Sequence, residues 1–175
     1  MIAIRVIGMI LTLVASGALG FYIASLGKFR QQELLEFKKA LLILKSEIEY
    51  IAAPLPEAIA NIAGRTTSPV SNIFKQFAES LKNNPEGETA YRLWVTAIAE
   101  HKSKSFLKSA DWEALESFGK TLGYLDKQMQ SDSIKFTIEY IDTEVAELQT
   151  SNEKNQRMYR SLGLIGGVLL LVVFW

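Results

Sequence analysis

Two uncharged stretches close the ends of this chain and limit what it can fold into. From Val6 to Leu26 there are 21 consecutive residues without a charge, and from Ser161 to Trp175 there are 15. Every acidic residue, and every basic residue except Arg5, lies between them. A helix needs roughly 20 apolar residues to cross the hydrocarbon core of a bilayer. Val6–Leu26 meets that requirement, so residues 1–27 are expected to form an N-terminal transmembrane helix. A cleaved signal peptide is the rival assignment, but its apolar core runs only roughly 7–15 residues, and retention as an anchor is favoured. The chain has no cysteine, which excludes a lipobox lipoprotein, disulfides and thiolate metal sites. Ser16 and Gly20 stand at small-xxx-small spacing, which lets a second helix approach closely. The same spacing also arises from the ordinary abundance of small residues in membrane helices.

The C-terminal block, 161–175, is shorter. At about 1.5 Å per residue it covers roughly 22 Å against a core of about 30 Å. Leu162, Leu164, Ile165, Val168–Val173, Phe174 and Trp175 leave no polar face. That argues against a buried core helix and against an interfacial one. A short transmembrane helix ending at the far interface, with Trp175 as its aromatic anchor, is expected. Gly163 and Gly167 form a GxxxG contact pair there. Lys28, Arg30, Lys38 and Lys39 follow the first span; Lys154, Arg157 and Arg160 precede the second; Arg5 alone opposes them. The positive-inside rule therefore puts residues 28–160 in the cytoplasm.

That middle region, about 133 residues, suffices for one domain with a real core. Its apolar spacing is helical throughout, and no stretch alternates as a strand does. Leu34, Phe37, Leu41, Leu44, Ile48 and Ile51 form a heptad seam that Pro54 ends. A short helix over Glu57–Ala63 follows, with Pro56 in its first turn and Gly64 as its C-terminal cap. Ser68-Pro69 reads as N-cap and first helical residue of the next helix, whose apolar face is Val70, Ile73, Phe74, Phe77 and Leu81. After the turn-rich Asn83–Gly87, a helix over Thr89–His101 points Leu93, Trp94, Ala97 and Ile98 inward. Lys102–Lys108 is a basic loop. Asp111 is the expected N-cap of a fifth helix with Trp112, Leu115, Phe118, Leu122 and Leu125 inward. The last helix carries Ile134, Ile138, Ile141, Val145 and Leu148. It then continues, polar on every side and without proline or glycine until Gly163, as a stalk into the C-terminal block.

Little here offers catalytic chemistry. His101 is the sole histidine, which excludes a histidine metal cage, and reads as a helix-end residue on the dipole. Gly119-Lys120-Thr121 has only the tail of a phosphate loop. The pairs Glu47/Glu49 and Glu113/Glu116 have helix-surface spacing, and Trp94 and Trp112 read as core. Lys+Arg and Asp+Glu are equal at 19 each, so charge gives no reason to expect nucleic acid. No enzyme, no cofactor, no metal and no small-molecule substrate are expected.

One motif is more specific. Leu115–Asp126 reads Leu-Glu-Ser-Phe-Gly-Lys-Thr-Leu-Gly-Tyr-Leu-Asp. This resembles the Phe-Gly-x-Thr-Leu-Gly-x-x-Asp signature of the stage III sporulation protein AB family. Glu47-Ile48-Glu49-Tyr50 with Pro54-Leu55 and Ala58, Phe74-Lys75-Gln76-Phe77-Ala78, and Asn152-Glu153-Lys154-Asn155 with Met158, Tyr159, Leu162 and Gly163 extend the likeness over essentially the whole chain. Lys120 departs from it, standing where the family usually has Glu. The family is itself similar to the cytoplasmic domains of F-type platform proteins of type II secretion and type IV pilus machines. The resemblance thus implies an all-α, six-helix bundle of that kind flanked by the two transmembrane helices.

It also implies a non-enzymatic platform in the secretion-like channel between mother cell and forespore. The location would be the mother-cell membrane around the forespore, with a cytoplasmic secretion-type ATPase and other channel components as partners. A homo-oligomer stays open. Within the motif, Phe118, Gly119, Leu122, Gly123 and Asp126 read either as close packing and a cap for the last helix or as a docking surface. The alternative function is a membrane-tethered helical adaptor for an unrelated cytoplasmic partner.

Overall fold

The heptad seam does form a helix, α1 (residues 26–46), and it buries Leu34, Phe37, Ala40, Leu41 and Leu44. The computed structural model describes residues 26–51, 53–84, 86–123 and 126–174, with side chains through Ser151. Residues 1–25 of the expected first span, with Ser16 and Gly20, lie outside the described residues, as do Leu125 and Trp175. The seam does not hold to its end. Residues Glu47–Ile51 form a π-helical turn, whose extra residue per turn rotates the end of the seam off the inner face. Ile51 is 61 % exposed and Tyr50 82 %, while Glu47 is only 2 % exposed. Glu47 is thus a buried acid and not a surface one: its Oε1 accepts from Asn61 Nδ2 at 3.2 Å, and its Oε2 has no partner among the described residues.

Pro54 precedes α2 (Leu55–Arg65), with Pro56 in the first turn, where a missing N–H costs nothing. The helix runs past Gly64. Thr66 ends it by bonding the Ile62 carbonyl twice, through its amide at 3.1 Å and its hydroxyl at 2.9 Å, so no left-handed glycine is needed. Helix α3 (Val70–Lys82) starts one residue later than expected and has no side-chain cap on its backbone; Ser68 Oγ accepts from the Asn72 side chain instead. It buries Val70, Ile73, Phe74, Phe77 and Ala78, with Leu81 half-buried. Asn84 and Glu88 bond reciprocally and close the following turn. Thr89 Oγ1 then accepts from the Arg92 amide at 3.3 Å and caps α4 (Ala90–His101), which buries Leu93, Trp94, Ala97 and Ile98.

A short 3-10 turn (Lys102–Lys104) leads to α5 (Ser109–Gly119). Asp111 lies in the first turn of α5 and not at its cap, and from there its Oδ2 accepts from the Lys108 amide at 2.7 Å. The last helix, α6 (Lys127–Phe174), is unbroken through 48 residues. It buries Ile134, Thr137, Ile141 and Val145 and half-buries Ile138 and Leu148. Gly163 and Gly167 fall within α6, beyond the residues whose side chains are described. Among the described residues no helix is long and apolar enough to cross a membrane.

These six helices, with no strand among the described residues, pack into a bundle whose compact unit is Arg30–Val145. Its core is a chain of rings. Phe37 on α1 meets Trp112 edge-on at 6.3 Å and Phe74 at 6.2 Å. Trp94 takes Phe74 and Phe77, each at 5.4 Å, and Phe118 at 5.8 Å. Trp94 is fully buried, and its indole N–H donates to the Leu115 carbonyl at 2.8 Å. Burying a side chain of its size, roughly 150–250 Å², is worth about 4–6 kcal/mol at most.

Candidate interaction site

The resemblance motif forms the corner between α5 and α6. Phe118 and Leu122 point into the bundle, the first against Trp94. Gly119 lies directly against the Trp94 indole: a Cβ there would stand 2.9 Å from Nε1 and closer still to Cδ1. Only glycine fits without moving a fully buried ring. The Leu122 amide bonds the Gly119 carbonyl at 3.1 Å as α5 unwinds. Gly123 then takes φ +85°, a conformation that L side chains rarely adopt. Asp126 restarts the helix. Its Oδ1 accepts from the amides of Gln128 at 2.9 Å and Met129 at 3.3 Å, satisfying open donors at the start of α6. All five motif residues therefore have backbone or packing roles in one corner.

What the corner shows outward is a shallow groove of about 580 Å³ lined by Thr89, Ala90, Tyr91, Lys120, Leu122 and Gly123. Lys120 is exposed on its rim. Tyr91 donates to Glu116 Oε1 at 3.2 Å; desolvation, then this carboxylate, raises its pKa.

A second constellation went unseen in the sequence. Arg30 on α1 is almost fully buried and forks onto Asp111, Nε to Oδ2 at 2.8 Å and Nη2 to Oδ1 at 2.6 Å. The same Nη2 reaches Glu144 Oε2 on α6 at 2.5 Å. Tyr140 donates its hydroxyl to Asp111 Oδ1 at 2.9 Å. Three helices are thereby tied at one buried carboxylate. Burial pushes the Asp111 pKa up, but the Arg30 guanidinium, the Lys108 amide and the Tyr140 hydroxyl together outweigh it and hold the carboxyl below its ordinary value. The bond to Asp111 raises Arg30 against the opposing effect of burial. Burial, then the proximity of Asp111, raises Tyr140. Arg30 counted in the sequence as a flanking cation; in the fold it is neutralised inside. No local spacing announces the cluster, because its members lie 81 and 114 residues apart. The one local hint is Tyr140 and Glu144, four apart on a helix face.

His101 ends α4 with its Nδ1 2.9 Å from the Ala97 carbonyl. Among the described residues no three His, Cys, Asp or Glu side chains group as metal ligands.

The comparisons with known proteins fall on one family. The model of stage III sporulation protein AB matches residues 5–175. A stage III sporulation protein AB from Bacillus subtilis (strain 168) is 30% identical over 171 residues, covering 97% of this chain and 98% of that protein. A solved structure of stage III sporulation protein AB superposes with a TM-score of 0.66 at 27% identity, over 71% of this chain and 97% of that one. With a match running from residue 5 to the last residue and the helical bundle in common, the chain belongs to the stage III sporulation protein AB family.

Proposed function

We propose that this chain is a non-enzymatic, membrane-anchored platform in the secretion-like channel required for endospore formation. The observation that carries the reading is the family match over residues 5–175, whose members are named for the third stage of sporulation. The uncharged blocks Val6–Leu26 and Ser161–Trp175 supply its two membrane anchors, and the bundle faces the cytoplasm of the mother cell. The bundle docks a secretion-type ATPase at the α5–α6 corner. Support for that location is the contrast between a corner committed to packing at Gly119 and capping at Asp126 and an exposed groove rimmed by Lys120. Such a surface is preorganised and loses little entropy on binding.

Crosslinking followed by pull-down from sporulating cells tests the reading. Recovery of the ATPase or channel proteins, with ATPase recovery reduced at least several-fold by Lys120→Ala, is the expected result. Clean absence of both from wild-type pull-downs overturns it. Expression and requirement during vegetative growth would instead identify a tethered adaptor for another partner.

A further inference from the structure

The segment joining α4 to α5 belongs to neither the corner nor the charge cluster. From His101 to Ala110 it reads His-Lys-Ser-Lys-Ser-Phe-Leu-Lys-Ser-Ala, with three lysines and no acid. Its backbone is pinned. Ser105 Oγ donates to Glu33 Oε1 at 2.6 Å, the Phe106 amide donates to Glu33 Oε2 at 3.0 Å, and the Leu107 amide donates to Ser105 Oγ at 3.0 Å. The acids that hold it are consumed internally: Glu33 is 4 % exposed, and Asp111 is fully buried against Arg30. The lysines are the opposite. Lys102, Lys104 and Lys108 are exposed, and among the described residues no ion pair engages them. Lys102 lies 5.9 Å over the Trp112 ring. The exposed acids nearest in sequence, Glu100 and Glu113, lie outside the segment, and Glu100 already accepts from Gln76.

Between the lysines the loop presents Phe106, 45 % exposed, and half-buried Leu107. A pinned segment that leaves an aromatic ring partly exposed, with three exposed lysines within four residues of it in sequence, combines the two attractions of an interfacial contact. Lysines gain at an anionic lipid surface, and an apolar wedge gains at the headgroup boundary. The loop's position fits that use. Arg30–Glu144, Lys38–Asp142 and Glu49–Ser131 pair in antiparallel order. Glu33 therefore pins the loop at the end of the bundle where the chain enters it at Arg30, four residues after the uncharged block ends at Leu26.

We propose that the Lys102–Lys108 loop rests on the surface of a bilayer containing anionic lipids, with the three lysines on headgroups and Phe106 at the interface. The proposal rests on the anchored reading above and adds a contact that orients the bundle.

Because the chain has no cysteine, Ser103→Cys gives a single site for an environment-sensitive fluorophore. The full-length protein is reconstituted into vesicles of phosphatidylcholine alone or with about 30 % phosphatidylglycerol, both carrying a spin-labelled quencher lipid. Quenching at position 103 is expected only in the anionic vesicles, and a label at Asn83→Cys, on the exposed C-cap of α3, stays bright. Each lysine replaced by Gln should lower the ratio of seated to released loop about fivefold, and the triple variant on the order of 100-fold. Salt at about 0.5 M should act in the same direction. Equal quenching in both lipids, quenching retained in the triple variant, or protection that appears only when an acidic protein is added overturns the proposal. Flotation in alkaline carbonate reports the anchors separately. A chain that washes off sinks the anchored reading, whereas position 103, read before the wash, decides the loop.

Discussion

The α5–α6 corner and the Arg30 cluster hold the same bundle by different physics. The corner works through the backbone. Gly119 lets the helix close on Trp94, Gly123 turns the chain through φ +85°, and Asp126 restarts the ladder. No charge is buried there. The cluster works through side chains, drawing Arg30, Asp111, Tyr140 and Glu144 from three helices onto one point. A backbone device fails locally when one residue changes. A buried ion pair fails by leaving its partner charged and unsolvated, which is why its loss costs more than its presence contributes.

The largest expected effect breaks the cluster. Asp111→Ala strands the Arg30 guanidinium with only the half-exposed Glu144, and should cost about 3–5 kcal/mol. Thermal unfolding of the full chain in detergent, followed by circular dichroism, measures it. Arg30→Met combined with Asp111→Leu should recover part of that loss, since no guanidinium is then stranded, while the Lys108 amide and the Tyr140 hydroxyl still lack their acceptor. No recovery would mean that the cluster does more than satisfy itself. Lys38–Asp142, a surface pair at 2.6 Å, is the control, with removal costing about 0–1 kcal/mol.

The cluster also has a pH signature. Asp111 is held below its ordinary pKa in the fold, so its contribution is present above the unfolded-state value and is lost as pH falls through the folded one. Stability of the wild type should therefore fall on acidification below about pH 4, and Asp111→Asn should flatten that limb. A limb unchanged by the substitution would place the proton uptake elsewhere.

The corner comes next. Gly119→Ala drives a methyl into Trp94, and should cost about 1–3 kcal/mol with a shift in tryptophan emission as the ring is displaced. An unchanged emission spectrum would show that α5 moves and not the indole.

How far each region was legible depends on the same physics. The corner was readable because its devices are local: glycines four apart and a helix-starting Asp126 leave a pattern within one short stretch. The inward faces of α3, α4 and α5 were readable because burial imposes a 3.6-residue period. The cluster left no such pattern, and its central acid was misplaced. Asp111 has N-cap chemistry, but the loop pinned on Glu33 lets α5 begin earlier at Ser109, so Asp111 caps from inside the first turn. The heptad seam failed at Ile51 because periodicity assumes one helix type, and a π turn changes the residue count. Glu47 had helix-surface spacing, yet it is buried beside Asn61, a neighbour that only the packing of α2 supplies. Length and connectivity of α6 were readable from the absence of breakers, since nothing local interrupts the helix before Phe174.

The corner's two smaller effects separate its turn from its restart. Gly123→Ala places a Cβ 3.4 Å from Ala90 Cβ, ordinary contact, so the penalty of about 1–2 kcal/mol comes from the positive φ alone. Gly123→Asn should cost less, since asparagine tolerates that region better than alanine does. Asp126→Ala leaves the Gln128 and Met129 amides without their acceptor and should cost about 1 kcal/mol, while Asp126→Ser retains most of the cap. If these losses arise in the turn and the cap alone, combining Gly123→Ala with Asp126→Ala should cost roughly their sum. A clearly smaller combined loss would mean that the turn exists to aim the cap, making the corner one device and not two.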